Sequence, residues 1–466
     1  MADTATALVL AAGQGTRMKS RLAKVLHPIA GKPMLAYVTS AARAAGAEDI
    51  VVVVGYQGER VMEAMGEGLR FVWQREQKGT GHAVLQAEGL VGKGEGPLLV
   101  LYGDTPLITS DCLAELLTKH RQTAATVTIL TTELPRPRGY GRVIRDGAGR
   151  VTGIVEEADA TPEQLAVKEV NTGIYCFERE ALFDALREVR RDNAQGEYYL
   201  TDVIGLIMER GGKVEALQWE DSESVLGVND RIDLARAAAL LRGRILEKLM
   251  LSGVTVVDPT STYVDAEVRI GRDSVIYPMT VLEGRTVIGE GTVIGPGARI
   301  KDTVIGSGVR IVDSTVEESR IGDGATVGPY SHLRRGTVVG EGAKIGNYAE
   351  IKGSVIGARS KVSHHSYIGD ARLGEGVNIG AGVVTVNYDG FDKYQTDVED
   401  GAFIGCNVNL VAPVKVEREA YVAAGSTITK DVPEGSLAVA RERQSNISGW
   451  VRRFKRRKSR NDNRDS

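Results

Sequence analysis

A glycine-rich segment near the start of the chain has the residue types that bind phosphate. In LAAGQGTRM, residues 10–18, two closely spaced glycines let the backbone approach a phosphate, and Thr16 can donate a hydrogen bond. Arg17 and Lys24 add positive charge, which favours an anionic ligand. Met18 occupies the place of the third glycine of the dinucleotide fingerprint, which argues against a nicotinamide or flavin site. A purely structural turn is the alternative.

A carboxylate follows a second apolar run. Asp104 lies in YGDTP, residues 102–106, directly after LLVLY. A hard divalent cation prefers one or two carboxylates together with phosphate oxygens, so Asp104 is a candidate magnesium ligand. The alternative is an aspartate that caps the next turn.

Polar side chains interrupt an otherwise aliphatic, repetitive region in the second half of the chain. Its cations suit a sugar phosphate, and a histidine can act as a general base near neutral pH. A histidine in such a place can also be structural or solvated. The group comprises Arg334, Lys352, His364, Tyr367, Asn378, Asn387, Tyr388 and Lys393.

The elements that must position the first set of residues form an α/β pattern. Apolar runs at residues 6–12, 50–54 and 98–102 are typical of buried strands, and alanine-rich helical segments separate them. This alternation predicts a mostly parallel, Rossmann-like sheet. Ligands bind where such strands end, which places residues 10–18 and Asp104 in one cleft.

The second half of the chain has an aliphatic residue at every sixth position. This period predicts a parallel β-helix in which each hexad supplies a short strand and a corner. Between residues 385 and 404 the hexads vanish, which predicts a functional loop that leaves the rod. The best-kept runs are Val264, Ile270, Ile276, Leu282, Ile288, Ile294 and Ile300, and then Ile321, Val327, Leu333, Val339, Ile345 and Ile351.

These patterns predict four regions. Residues 1–229 form the α/β domain, 230–252 a helical linker, 253–435 the β-helix, and 436–466 a C-terminal arm with a basic tail. The tail has seven Lys or Arg in VRRFKRRKSR, residues 451–460, which is typical of a solvated, disordered end. Little aromatic interleaving accompanies these charges, which argues against nucleic-acid binding.

Composition sets further limits. The 466 residues are 42% hydrophobic with a formal charge of −3, which is ordinary for a globular protein without general attraction to nucleic acid or membrane. The three scattered cysteines suggest neither disulfides nor a metal cluster, so a cytoplasmic location is expected. No apolar run approaches the length of a membrane span, and no basic segment precedes the first apolar run, so neither a span nor an export signal is expected.

Several motifs of the first domain occur in the order found in sugar-phosphate nucleotidylyltransferases. The sequence resembles, more narrowly, the bifunctional family that acetylates glucosamine-1-phosphate and then uridylylates the product. The motifs that carry this resemblance are LAAGQGTRM, QKGTGHA, YGDTP, GYGR, GIVE, NTG, NAQGEYYLTD and GVND. The resemblance implies that the nucleotide and sugar are held by Leu10, Ala11, Gly13, Arg17, Lys24, Gln74, Gly79, Thr80, Tyr102, Gly103, Asp104, Gly141, Glu156, Asn171 and Asn229, with Mg²⁺ on Asp104 and Asn229.

The stretch HHSYIGD, residues 364–370, resembles the acetyltransferase half of the same family, whose β-helix is left-handed. The resemblance implies that His364 is the base, with acetyl-CoA as acetyl donor. It further implies that the sugar phosphate is held by Arg334, Lys352, Tyr367, Asn378 and Lys393, and acetyl-CoA by Asn387, Tyr388, Cys406, Ala424 and Arg441. The sequence departs from the family at Ala23, where proline is usual, at Ser363, where glycine is usual, and at Cys406, where a hydroxyl residue is usual. A packed, inert Cys406 is expected.

The main hypothesis is therefore a bifunctional enzyme that makes UDP-N-acetylglucosamine. It acetylates glucosamine-1-phosphate, then joins N-acetylglucosamine-1-phosphate to UTP. The sequence leaves two alternatives open: a nucleotidylyltransferase whose β-helix only oligomerises or regulates, and a non-enzymatic scaffold that retains both folds. A homotrimer is expected, because the resemblance implies it and flat rod faces can close into a ring.

Overall fold

The computed structural model describes residues 4–462 of the chain, with side chains for residues 4–458. The chain divides into two compact units. The first comprises the described residues up to Lys248 together with Val264–Glu267. The second comprises Leu249–Tyr263 and the described residues from Val268 onward.

The first unit is an α/β fold built on one large sheet. Its strands are β1 Ala5–Ala11, β4 Ala47–Val54, β5 Arg70–Trp73, β6 Leu98–Tyr102, β7 Val127–Glu133, β8 Arg142–Arg145, β9 Val151–Val155, β10 Glu169–Phe177 and β11 Val214–Gln218, and a separate pair is formed by β2 Pro28–Ile29 and β3 Lys32–Pro33. Its helices are α1 Met34–Ala44, α2 Gly58–Met65, α3 Thr80–Gln86, α4 Glu88–Val91, α5 Ser110–Thr123, α6 Pro162–Leu165, α7 Arg179–Leu186, α8 Asp202–Glu209 and α9 Ser222–Val225, with 3₁₀ turns at Thr16–Met18, Lys24–Leu26 and Glu157–Asp159.

The large sheet has the strand order β11-β7-β10-β6-β1-β4-β5. Strand β1 pairs in parallel with β4 and β6, while β10 runs antiparallel to β6 and β7. All seven residues of β1 are buried, because helices and their apolar clusters cover both sides of the sheet. The predicted mostly parallel α/β fold is confirmed.

A long helix, α10 Arg231–Leu251, follows the sheet. Ala237 and Leu241 are buried against Met34, Leu107 and Val228 of the first unit. The part of α10 up to Leu241 is therefore packed into the first unit.

The second unit consists of three parallel sheets of very short strands. Face 1 contains Thr255–Val256, Val275–Ile276, Val293–Ile294, Arg310–Ile311, Thr326–Val327, Lys344–Asn347, Lys361–His364, Asn378–Ile379, Phe403–Ile404, Tyr421–Val422 and Leu437–Ala438. Face 2 contains Val281–Glu283, Arg299–Lys301, Thr315–Glu317, His332–Leu333, Glu350–Lys352, Tyr367–Gly369, Val384–Val386, Asn409–Val411 and Thr427–Ile428. Face 3 contains Arg269–Ile270, Val287–Ile288, Val304–Ile305, Arg320–Ile321, Val338–Val339, Val355–Ile356, Ala371–Leu373, Thr396–Val398 and Val414–Val416. The strand Tyr263–Val264 spans the boundary between the units.

The chain visits the three faces in turn, which confirms the β-helix of hexapeptide repeats. The aliphatic residues of the hexads point inward, and Ile294, Ile300 and Ile345 have no exposed surface. Buried hydroxyls at other inward positions tie successive coils together. Ser354 Oγ donates to the carbonyl of Ile368 at 3.2 Å and accepts from an amide of the next coil.

Two expectations about the second unit are wrong. The predicted excursion over residues 385–404 is shorter, because Thr396–Val398 is a strand of face 3, and Thr396 and Val398 are buried. The loop that leaves the rod is residues 387–395. The basic tail forms helix α11, Trp450–Asp462, instead of a disordered end. Lysine and arginine favour helices, and the Trp450 and Phe454 rings stack one turn apart with centroids 5.0 Å apart. The predicted region 436–466 extends beyond the described residues at 463–466.

Candidate active sites

A cleft of about 420 Å³ opens in the first unit where strands β1 and β6 end. Every nucleotide and sugar residue predicted from the sequence lines it except Gly103. Gly103 instead donates its N–H to the carbonyl of Leu10 at 2.9 Å and so ties the two strand ends together. Of the other lining residues, Val25 lies outside the motifs, whereas nine lie within them without having been singled out: Ala12, Ala83, Thr105, Gly139, Tyr140, Thr172, Gly173, Glu197 and Gly227. Gln77 also lines the cleft, and it begins the motif QKGTGHA.

The glycine-rich turn forms the cationic end of the cleft. A β-carbon on Gly15, whose φ is +65°, would lie 2.6 Å from Lys24 Cβ, so only glycine fits this turn. A β-carbon on Gly13 would meet no atom within 4 Å, which leaves that backbone open to a ligand. Arg17 Nη2 donates to Asn229 Oδ1 at 2.8 Å. Lys24 forms an ion pair with Asp104, and each side chain is 15% exposed.

Ala23 departs from the family pattern without loosening this loop. Its φ of −54° is one that proline also adopts. Its N–H, which a proline would lack, donates to Gln57 Oε1 at 2.9 Å. Gln57 Nε2 in turn donates to the carbonyl of Arg21 at 2.6 Å. A hydrogen bond therefore holds the loop where proline would hold it through its ring.

Asp104 and Asn229 are close in the fold although far apart in sequence. The N–H of Val228 donates to the Asp104 carbonyl at 2.8 Å, which brings Asn229 to the same edge of the cleft. A β-carbon on Gly227 would lie 3.3 Å from Asp104 Oδ1, so the glycine leaves room beside the carboxylate. One carboxylate and one amide oxygen suit Mg²⁺, which keeps waters and substrate phosphates as its other ligands. The two residues therefore fit a magnesium ion.

The opposite part of the cleft is built for hydrogen bonding without cations. Burial raises the pKa of Glu156, against the opposing effect of a hydrogen bond from Thr201 Oγ1 at 3.1 Å. Asn171 donates from Nδ2 to the Tyr175 hydroxyl at 2.7 Å. The Gly141 carbonyl accepts from the N–H of Asn171 at 2.9 Å. Carboxylate, amide and carbonyl groups in this arrangement suit a sugar.

The second unit has two groups of predicted site residues. One lies along the edge of face 2. Arg334 Nη1 donates to Glu350 Oε1 at 2.8 Å. The pKa of Lys393 is lowered, chiefly by the neighbouring amine of Lys352, while Asp370 opposes the shift. Two ammonium groups side by side form a site for a dianion.

Other predicted residues of this unit surround the same edge. Asn387 is buried and donates from Nδ2 to Asp370 Oδ2 at 2.5 Å. Tyr367 lies on face 2 beside Glu350. Asn378 does not join them, because it lies within face 1 and pairs with Lys361 and Phe403.

The second group follows the corner between faces 1 and 2. His364 ends a strand there, and its Nδ1 lies 2.5 Å from Asn347 Oδ1. An amide oxygen can only accept, so in the neutral ring the proton is on Nδ1 and the lone pair is on Nε2. His365 has a different contact, because its ring stacks on the ring of Tyr348 with the centroids 4.9 Å apart.

Cys406, Ala424 and Arg441 lie farther along the same corner. The Cys406 carbonyl accepts from the N–H of Gly425 at 2.8 Å, and Arg441 Cδ lies 3.9 Å from the position of a β-carbon on Gly425. Cys406 is exposed, so the expectation of a packed cysteine is wrong. Residue 406 follows Gly405 at a corner turned away from the core, which explains the exposure. Tyr388 lies in the loop 387–395, where its hydroxyl donates to the Gly390 carbonyl at 2.6 Å.

Within the described part of the chain, no group of three or more His, Cys, Asp or Glu side chains could hold a metal ion. Among the same residues, no helix has the length and apolar character needed to cross a membrane.

Known proteins match both units. The family described as "Nucleotidyl transferase" matches residues 6–224, and that described as "GMPPB C-terminal domain" matches residues 259–347. The protein named "Bifunctional protein GlmU" of Geobacillus sp. (strain WCH70) is 51% identical over 453 residues, covering 97% of this chain and 99% of the relative. Proteins of the same name from Acetivibrio thermocellus and Heliobacterium modesticaldum are 50% and 52% identical, over 96% and 94% of this chain and 96% of each relative.

These matches extend through both units. They do not favour the alternative of a nucleotidylyltransferase whose β-helix is not catalytic. The chain belongs to the bifunctional GlmU family, and it is an enzyme with both acetyltransferase and uridyltransferase activity.

Proposed function

We propose that uridylyl transfer takes place in the cleft of the first unit and acetyl transfer on the rod. The observation that carries this division is the cleft itself. It brings Arg17, Lys24 and Asp104 together at one end and hydrogen-bonding groups, among them Glu156 and Asn171, at the other. A nucleoside triphosphate and a sugar phosphate need this combination.

In the cleft, N-acetylglucosamine-1-phosphate would attack the α-phosphorus of UTP. A phosphate monoester has a second pKa of about 6, so its oxygen is a ready nucleophile at neutral pH and needs no general base. Gly13 leaves the backbone open to the triphosphate, while Arg17 and Lys24 offset the charge that develops on the departing pyrophosphate. Glu156 and Asn171 hold the sugar so that its phosphate lies in line.

Asp104 and Asn229 would hold Mg²⁺. The ion supplies charge neutralisation for the triphosphate when bound. Asp104 pairs with Lys24, and Asn229 Oδ1 accepts from Arg17, so each proposed ligand already faces a cation. A cation-binding role for these two oxygen groups is therefore consistent with their surroundings.

On the rod, His364 would accept a proton from the amine of glucosamine-1-phosphate as that amine attacks the thioester of acetyl-CoA. Asn347 fixes the ring so that Nε2 is the accepting nitrogen. The C–N bond forms, the C–S bond breaks, and the thiolate of CoA leaves and takes up a proton. Lys352 and Lys393 would bind the sugar phosphate, because their two amines face each other. Cys406, Ala424 and Arg441 would contact CoA.

A homotrimer is part of the proposal. Face 3 supports it, because its outward column contains two pairs of valines on either side of Arg320, each valine 37–50% exposed: Val287 with Val304, and Val338 with Val355. Exposed apolar columns of this kind mark association surfaces. A closed ring of three rods would cover them and place the acetyl-transfer groups in clefts between rods. We also propose a cytoplasmic location, supported by the three free cysteines.

The test follows products by mass. Purified protein is incubated with glucosamine-1-phosphate, acetyl-CoA, UTP and Mg²⁺, and UDP-N-acetylglucosamine should form through N-acetylglucosamine-1-phosphate. His364→Ala should stop the first step and leave the second intact when N-acetylglucosamine-1-phosphate is supplied. Loss of both steps in a folded variant would contradict the division between units.

A further inference from the structure

Helix α11, Trp450–Asp462, gains little from packing within its own chain. Every described residue from 439 to 458 is exposed, so none of these side chains belongs to a packed core. Isolated helices shorter than about 12–15 residues are marginal in water, because their stability normally comes from an amphipathic face packed on a surface. A helix of 13 residues in this position therefore calls for a surface outside the described chain.

The apolar residues of α11 lie together on one side. The Trp450 and Phe454 rings are one turn apart and stack with centroids 5.0 Å apart and planes 12° apart. Val451 follows Trp450 around the helix, and Ile447 lies just before it, where its carbonyl accepts from the N–H of Trp450 at 3.3 Å. These four side chains are 51–63% exposed. A grouped apolar face of this kind marks an association surface.

The charges of this segment all have one sign. From residue 443 to residue 458 the chain has seven Lys or Arg and no Asp or Glu. At 3.6 residues per turn, Arg452 and Arg456 lie opposite Phe454, and Lys455 lies between the two faces. Lys458 is one turn beyond Phe454, where its stem can lie along apolar surface while its amine stays in water. The overall charge of −3 does not cancel this patch, because charges farther apart than about 8 Å are largely screened at physiological salt.

We infer that α11 is a docking surface for membranes that contain anionic phospholipids, and that it lies in the plane of the membrane. A basic helix with aromatic residues on one face binds in this way, with its rings at the boundary between headgroups and acyl chains and its cations on the phosphates. The helix is too short and too charged to cross a membrane, since a span needs about 20 apolar residues.

An anionic lipid surface also suits both sides of the helix at once. A nucleic acid would pair with the cations, yet it would leave Ile447 and Val451 without an apolar partner. A second copy of α11 would cover the apolar face, yet it would bring like charges together. These two partners are therefore outcomes against which the lipid surface is tested.

The test measures co-sedimentation of the full-length protein with vesicles. One set contains equal amounts of phosphatidylglycerol and phosphatidylcholine, and the other contains phosphatidylcholine alone. We expect binding to the first set, weakened by added salt, and none to the second. Each Lys or Arg near an anionic surface contributes about fivefold to the partition coefficient, so Arg452→Gln with Lys455→Gln should weaken binding about 25-fold.

The matched control exchanges two residues of the helix. Phe454→Arg with Arg456→Phe keeps the composition and charge of α11 but moves the ring to the opposite face. Binding should fall about tenfold or more, because the Phe side chain can no longer enter the membrane beside Trp450. The emission of Trp450 should shift to shorter wavelength on anionic vesicles, whereas Trp73 and Trp219 lie in the first unit and should not respond. Trp450→Phe should bind without this shift.

The two enzymatic activities report whether each variant is folded. Absence of wild-type binding to anionic vesicles would overturn the inference, and so would equal binding by the exchanged variant, because charge alone would then suffice. Binding to single-stranded RNA without binding to vesicles would assign α11 to a nucleic acid instead. A lower oligomer mass in Trp450→Ser with Phe454→Ser, again without vesicle binding by the wild type, would assign the apolar face to a contact between copies.

Discussion

Replacing Asp104 by asparagine removes one negative charge from the cleft and keeps the shape of the side chain. Asp104 and Lys24 are each only 15% exposed and form an ion pair, so the substitution leaves the ammonium of Lys24 partly buried without its partner. Losing a charge-assisted hydrogen bond costs about 1.5–3 kcal/mol. For a unit of this size we expect the melting temperature to fall by about 3–12 °C, at about 2–4 °C per kcal/mol.

The catalytic effect should be larger. Loss of one preorganised electrostatic group lowers kcat by about 10²–10³-fold, which corresponds to about 2.7–4 kcal/mol. Pyrophosphate release measured against Mg²⁺ concentration should show this loss together with a higher Mg²⁺ requirement. Acetyl transfer serves as the control and should stay within about twofold of wild type, because the two units have separate cores. If Asp104→Asn keeps more than a tenth of the uridylyl-transfer rate at the wild-type Mg²⁺ concentration, Asp104 does not anchor the metal.

Three further predictions concern pH, domain limits and assembly. Because the pKa of Glu156 is raised, its carboxylate becomes protonated as the pH falls through that raised value. KM for N-acetylglucosamine-1-phosphate should then rise. The Glu156→Gln variant should not show this pH dependence of KM. A fragment of residues 1–251 should retain uridylyl transfer. A fragment of residues 1–229 should have a free energy of unfolding lower by about 2–4 kcal/mol, and so unfold at a lower denaturant concentration, because it lacks the helix residues that are buried in the first unit. Equal denaturation midpoints for the two fragments would contradict this. His364→Ala and Arg441→Ala chains, each defective alone, should recover acetyl transfer when their subunits exchange, and mixed oligomers without activity would show that both residues act within one chain.

The sequence predicted the site residues of the first unit mainly through motifs at strand ends. Residues 10–18 and 102–106 follow β1 and β6, and those strands are neighbours in the sheet. Parallel pairing brings their ends together, so the prediction of a shared cleft needed only the alternation of strands and helices. The hexad period predicted the β-helix in the same way, because each inward aliphatic residue repeats after one strand and one corner.

Contacts between side chains from distant segments could not be predicted. The hydrogen bond from Ala23 to Gln57 and the pairing of Arg17 with Asn229 depend on loops whose conformations no local pattern specifies. Thr396–Val398 was misplaced in a loop because the hexad pattern is lost in the residues before it, although Val398 is buried and pairs in register with Leu373 and Val416. The helix after Trp450 was missed because a run of like charges suggested disorder, whereas propensity and an aromatic pair favour a helix.

The corner that carries both His364 and Arg441 sets a fixed distance between them along the rod. Successive strands of face 1 after residues 361–364 are Asn378–Ile379, Phe403–Ile404, Tyr421–Val422 and Leu437–Ala438, so Arg441 lies four rungs beyond His364. At about 4.8 Å per rung, the two residues are about 19 Å apart along the rod. Hydroxyls such as that of Ser354 fix this spacing, because they bond each coil to the next. Deleting one complete coil would keep every remaining core position filled, yet would shorten the interval by one whole rung. The distance between two side chains on this corner can therefore change only in steps of one coil.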